Sequence, residues 1–87
     1  MYSFTFTKKS EKLFRKQDAL FKKRLVNKLT LLKTVDDIFQ YLTRLENMEP
    51  YTHRLRIWDM RFLLMLNPDD ENNFYILKFG KRWDIYK

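Results

Sequence analysis

Residues 51–66 read YTHRLRIWDMRFLLML, and this stretch decides the fold class. Leu55 and Ile57 alternate with Arg54 and Arg56, a period of two that puts apolar side chains on one face of a strand and two guanidinium groups on the other. Trp58-Asp59 reads as a turn. The near-continuous apolar run Phe62 to Leu66 then suits a central strand covered on both faces. Arg61 opens that run, flanked by Phe62, Leu63 and Leu64, an expensive place for a charge without a partner.

Toward the C-terminus, NPDDENN (67–73) is a turn by composition, and Phe74 to Phe79 is the next strand. The single glycine, Gly80, releases the chain into residues 81–87. Toward the N-terminus, Pro50 ends whatever precedes it, because it lacks an N–H and disfavours helix at Glu49. Tyr2, Phe4 and Phe6 alternate with Ser3, Thr5 and Thr7, the pattern of a half-buried strand. Thr7 sits where an N-cap would open a helix over Lys8 to Lys16, with Leu13 and Phe14 as its narrow apolar stripe. Asp18 is a second N-cap, for a helix from about Ala19 to Lys33. Its apolar positions Phe21, Leu25, Leu29 and Leu32 recur at helical spacing, with Lys22, Lys23, Arg24 and Lys28 mostly elsewhere. Thr34 to Met48 is less regular; Asp36 and Asp37 suit the cap of a short helix through Ile38, Phe39 and Leu42. The expected order is β-α-α-β-β-β: an α+β fold, a single domain over 1–87, two N-terminal helices packed on one face of a mainly antiparallel sheet.

Composition narrows the classes. At 87 residues, 45% apolar and 17% aromatic, the chain has the core formers that disordered basic tails lack. With no Cys and one His, neither a disulfide framework nor the common zinc arrangements are available, so no metal or cofactor is expected. No apolar run approaches the roughly 18 residues of a membrane span, and no signal-peptide core opens the chain, so the expected location is cytoplasmic. Eighteen basic against eleven acidic residues give a net charge of +7. Such a field favours phosphate backbones or an acidic protein and specifies neither.

Two segments carry a resemblance. YTHRLRIWDMR (51–61) resembles the Tyr-x-x-Arg-Leu/Ile-Arg-Val/Ile-Gly-Asp/Asn-Tyr/His-Arg hairpin of the RelE/ParE toxin superfamily. ILKFGKRWDIYK (76–87) resembles the superfamily's closing strand and its Gly-His/Lys-Arg-x-Asp/Glu-Ile/Val-Tyr tail. Arg44-Leu45 also sits where members carry a Lys/Arg-Leu pair. Element order and length agree, so the resemblance spans the chain, while its specific part is confined to 44–61 and 76–87. Two positions depart from the pattern: the usual turn glycine is Trp58, and the aromatic before the hairpin arginine is Met60. Because Trp does not adopt a positive φ cheaply, the hairpin is expected to use another turn type.

The resemblance implies a toxin of a type II toxin–antitoxin system that cuts mRNA, at the ribosome, without a metal. In that chemistry the ribose 2′-OH attacks the adjacent phosphate, leaving a cyclic phosphate and a free 5′-OH. It needs cations to hold the phosphorane's charge, a base for the 2′-OH and a donor for the leaving oxygen. Carried over position by position, the catalytic candidates are Arg61, matching the phosphate-binding arginine after the turn; Arg82, matching the arginine after the last strand; Tyr86, matching the C-terminal tyrosine; and Arg54, whose position is in some members a lysine credited with base catalysis. Arg44, Arg56, Lys81 and Trp58 are the candidate RNA contacts. Arg54 clamps phosphate well but is a poor proton acceptor, which leaves His53, Glu46 and Tyr86 for that role. By alternation His53 points away from Arg54 and Arg56, as a structural histidine would. Arg54 and Arg56 read equally well as a solvated strand face. If Arg61 faces the open side of the sheet, Leu63 and Met65 share it, and this apolar strip beside arginines suits an acidic amphipathic antitoxin segment. Two further readings stay open: a ParE-like inhibitor that binds DNA gyrase and catalyses nothing, and an inactive RNA-binding member.

Overall fold

The computed structural model describes residues 1–81 and Ile85. Strand β1 is Ser3–Phe6, helix α1 Lys8–Arg15 and helix α2 Ala19–Leu32. A short 3-10 helix, Ile38–Tyr41, leads into β2 (Leu42–Arg44), followed by β3 (His53–Ile57), β4 (Met60–Leu66) and β5 (Asn73–Lys81). Both expected caps are present: the side chains of Thr7 and Asp18 accept hydrogen bonds from the backbone N–H groups of Ser10 and Phe21.

The five strands lie in the order β1-β5-β4-β3-β2. β1 pairs parallel with the first half of β5, Ser3 against Asn73 through Phe6 against Ile76. All other pairings are antiparallel. The run 62–66 is thus the middle strand, as its apolar character required. Beyond Phe6 the edge of β5 passes to α1. There the buried Ser10 Oγ donates to the Ile76 carbonyl at 2.6 Å, and the Phe14 ring packs on Phe6 at 4.9 Å.

The core lies between α2 and one sheet face. Leu25, Leu29 and Leu32 meet Leu55, Ile57, Phe62, Leu64, Phe74, Ile76 and Phe79, with Ile38 closing one side. Phe79 stacks on Phe62 at 5.2 Å and on Phe21 at 6.4 Å. Full burial of each such side chain stabilises the fold by roughly 1.5–3 kcal/mol.

Two features differ from the sequence reading. The segment after α2 holds a fifth strand, β2, whose three residues are too few to show a period. The β3–β4 hairpin also keeps a left-handed turn residue: Trp58 has φ 58° in a two-residue loop closed by the Ile57–Met60 pair. A positive φ at the first loop position, and not the second, is the φ signature of a type II′ turn, where glycine is usual. For a non-glycine residue that conformation costs about 1–2 kcal/mol. The Trp58 ring offsets part of it through an edge contact with Phe21 at 6.1 Å.

Candidate nucleic-acid interface

Alternation in β3 and β4 separates two faces. His53, Leu55 and Ile57 point to the helices, while Arg54 and Arg56 point to the other side. The register then builds two rungs on that open face: Arg54, Leu63 and Lys78 form one, and Arg56, Arg61 and Gly80 the next. With strands about 4.8 Å apart and rungs two residues apart, the backbone positions of four cations fall within roughly 12 Å of one another. Arg61 is half-buried, Arg54 and Lys78 likewise, and Arg56 is exposed. The Arg56 Nε–H donates to the Trp58 carbonyl at 3.3 Å, which ties that guanidinium to the hairpin turn.

Lys78 is the residue the sequence reading missed. Counted by alternation from Phe74 and Ile76, it falls on the core face. A β-bulge at Leu77 reverses the parity: Leu64 pairs with Ile76 but Leu63 with Lys78. Phe79, buried where strict alternation would expose it, is the one signal in the sequence that the period breaks here.

Other candidates stand apart from this cluster. Arg44 pairs with His53 across β2–β3 and so belongs to the helix side of the sheet. Lys81 pairs with Met60, on the same side as Ile57, and Trp58 leans toward Phe21. Arg82 and Tyr86 lie outside the described residues. Leu63 faces the arginines as expected, but it is only 1% exposed, so it is no open apolar strip for a partner; Met65 beside it is half-buried. A second buried apolar residue outside the main core, Ile85, reaches this face. Its Cδ1 lies 3.7 Å from where a Cβ on Gly80 would stand.

His53 is a core residue. Its ring packs against Phe39 at 5.6 Å and Phe74 at 5.7 Å, and its Nδ1 hydrogen-bonds with the Thr52 hydroxyl at 2.8 Å. Burial lowers its proton affinity below the ordinary value, and the Arg44 guanidinium across the strand pair lowers it further. Glu46 is exposed in the loop before β3. Of the described residues that β3, β4 and β5 present on the open face, none is a carboxylate or an imidazole. Guanidinium and ammonium groups in this arrangement have the chemistry to hold negative charge. Among the described residues there is no cluster of acidic, His or Cys side chains that would hold a metal ion, and no helix long and apolar enough to cross a membrane.

A small α+β fold with this strand order and two helices ahead of the antiparallel strands is the RelE-type toxin fold. Two solved structures share it. One is the isolated E. coli RelE toxin, at 18% identity and a TM-score of 0.64 over 93% of this chain and 84% of that one. The other is a chain of the intact E. coli RelBE toxin–antitoxin complex, at 17% identity and a TM-score of 0.64 over 93% of this chain and 96% of that one. No family model matches the chain, and no curated protein matches it in sequence. At these identities the likeness is one of fold.

Proposed function

We propose that this chain is a RelE-like toxin of a toxin–antitoxin system that acts on RNA through its open sheet face. The observation that carries the reading is the Arg56–Arg61 rung on a RelE-type fold. Two guanidinium groups directly opposite each other repel, and a bound phosphate would convert that repulsion into bidentate attraction.

In this reading the RNA is mRNA, cut in the cytoplasm at the ribosome. Arg54, Arg56 and Arg61, joined by Arg82, hold the scissile phosphate. The 2′-oxygen attacks phosphorus, the bond from phosphorus to the 5′-oxygen breaks, and the cations carry the phosphorane's charge. The proton leaves the 2′-OH to a base, and the departing 5′-oxygen receives one from a donor. Tyr86 orients the base at the cut or assists this transfer. An acidic antitoxin neutralises the protein by covering the arginine face, as the toxin–antitoxin assembly of the RelBE structure suggests. Because Leu63 is buried, the antitoxin would grip charge and the half-buried Met65 rather than an open apolar strip.

One observation favours a second reading, the ParE-like gyrase inhibitor. The open face's described side chains carry cations but include no carboxylate and no imidazole. Induction of the chain in cells, with mRNA 5′ ends mapped, separates the two. Clustered cuts that vanish with Arg61→Ala support the nuclease; intact mRNA with gyrase-dependent DNA breaks supports the inhibitor.

A further inference from the structure

The basic surface does not end at the arginine rungs. Between α1 and the second half of β5 runs a groove of about 730 Å³, its lining largely apolar (Leu13, Tyr51 and Leu77 among it) and its cations Lys9, Lys12, Lys16 and Lys78. Lys78 belongs to both surfaces, standing in the Arg54–Leu63 rung and in the groove wall. Lys9 and Lys12 of α1 and Lys16, its C-cap, fall at i, i+3 and i+7, one stripe about 10 Å long. Like charges at these spacings destabilise a helix by a few tenths of a kcal/mol per pair. Among the described residues no acidic side chain is ion-paired with any of the three; the helix's one acid, Glu11, is held by Arg15 at 2.7 Å on another side.

We infer that this groove is the continuation of the RNA track: a single strand whose phosphate is gripped by Arg54, Arg56 and Arg61 runs past Lys78 and lays its neighbouring nucleotides along the α1 lysines. This rests on the open face being an RNA site. The chemistry fits a flexible polyanion better than a compact ligand. The cations are spread along a line, they are exposed lysines that act as point charges, and Tyr51 offers one aromatic wall on which a base can stack. The track reads no sequence through these contacts; it adds affinity and direction.

The test uses the full chain and its K9Q/K12Q/K16Q variant, with circular dichroism and melting to verify folding. Binding is measured over a salt series to two unstructured RNAs, a tetranucleotide and a strand of roughly twelve nucleotides. The inference expects the variant to bind the longer strand at least about tenfold more weakly, with the log-affinity against log-salt slope flatter by about 2, and the tetranucleotide almost as the parent does. An unchanged slope and affinity for the longer strand overturn the groove, while loss of tetranucleotide binding in Arg61→Ala would leave the arginine face standing. If the parent binds neither RNA at low salt, the RNA reading itself falls. Direct binding of an acidic peptide to the parent, weakened by the triple-lysine substitution while neither RNA binds, would reassign the groove to a protein partner.

Discussion

Arg56 and Arg61 stand directly opposite each other across β3 and β4, with Gly80 completing their rung on β5. Cross-strand like charges destabilise a sheet by up to about 1 kcal/mol, so the pair brings no stability from each other. Arg56→Gln relieves that repulsion but loses the hydrogen bond to the Trp58 carbonyl, so the melting temperature is expected to stay level. The same change should weaken single-stranded RNA binding several-fold and flatten its salt dependence by about 0.7, the value of one phosphate contact. Titrations at several salt concentrations beside a melting curve check both halves; a drop in stability with unchanged RNA affinity would make Arg56 merely structural.

Trp58 offers a way to weigh backbone strain against packing. Trp58→Ala loses the Phe21 contact and keeps the left-handed φ; Trp58→Gly loses the contact and relieves the φ. The glycine variant should be the more stable of the two by about 1 kcal/mol, and close to the parent. Urea unfolding of the three proteins measures this directly. Equal stability of the two variants would mean that the turn relaxes when the indole is removed.

The buried His53 makes stability depend on pH. Its proton affinity is lowered in the folded chain, so the unfolded chain takes up a proton that the folded one resists. The stabilisation is complete above the ordinary value of 6.5 and is lost as pH falls from there through the lowered folded value. Unfolding measured at about pH 7.5 and about pH 5 should show a decline that His53→Gln reduces. RNA binding by the open face should not follow His53, since the ring lies on the opposite side of the sheet.

Asn73 ties β1 to the turn before β5. Its Nδ2 donates to Ser3 Oγ at 2.8 Å and Thr5 Oγ1 at 3.1 Å, and its Oδ1 accepts from Asn67 Nδ2 at 3.2 Å. Asn73→Ala strips these partners at a site only 8% exposed and should cost about 1–3 kcal/mol. Hydrogen exchange should show β1 opening before the β3–β4 hairpin, with RNA affinity of the folded fraction unchanged.

Much of the fold was legible because local physics left little choice. Thr7 and Asp18 had capping oxygens in the right places, Phe21 to Leu32 kept helical spacing, and Arg54 to Ile57 alternated cleanly. The β2 strand escaped, since a three-residue strand is defined by what it pairs with. The turn residue escaped for another reason: propensity argued against a left-handed Trp58, and closure of the hairpin with its ring on Phe21 overrode it.

For the candidate interface, the sequence by itself determined the chemistry. Its excess of arginine and lysine, the alternation that turns Arg54 and Arg56 away from the core, and the buried character of His53's face follow from residue type and a period of two. Which cations meet was decided by tertiary structure. Register sets Arg61 opposite Arg56, strand pairing carries Arg44 and Lys81 to the other side, and one extra residue at Leu77 turns Lys78 onto the arginine face. A period of two says which side a residue takes only until a bulge occurs, and a bulge is a property of two strands together.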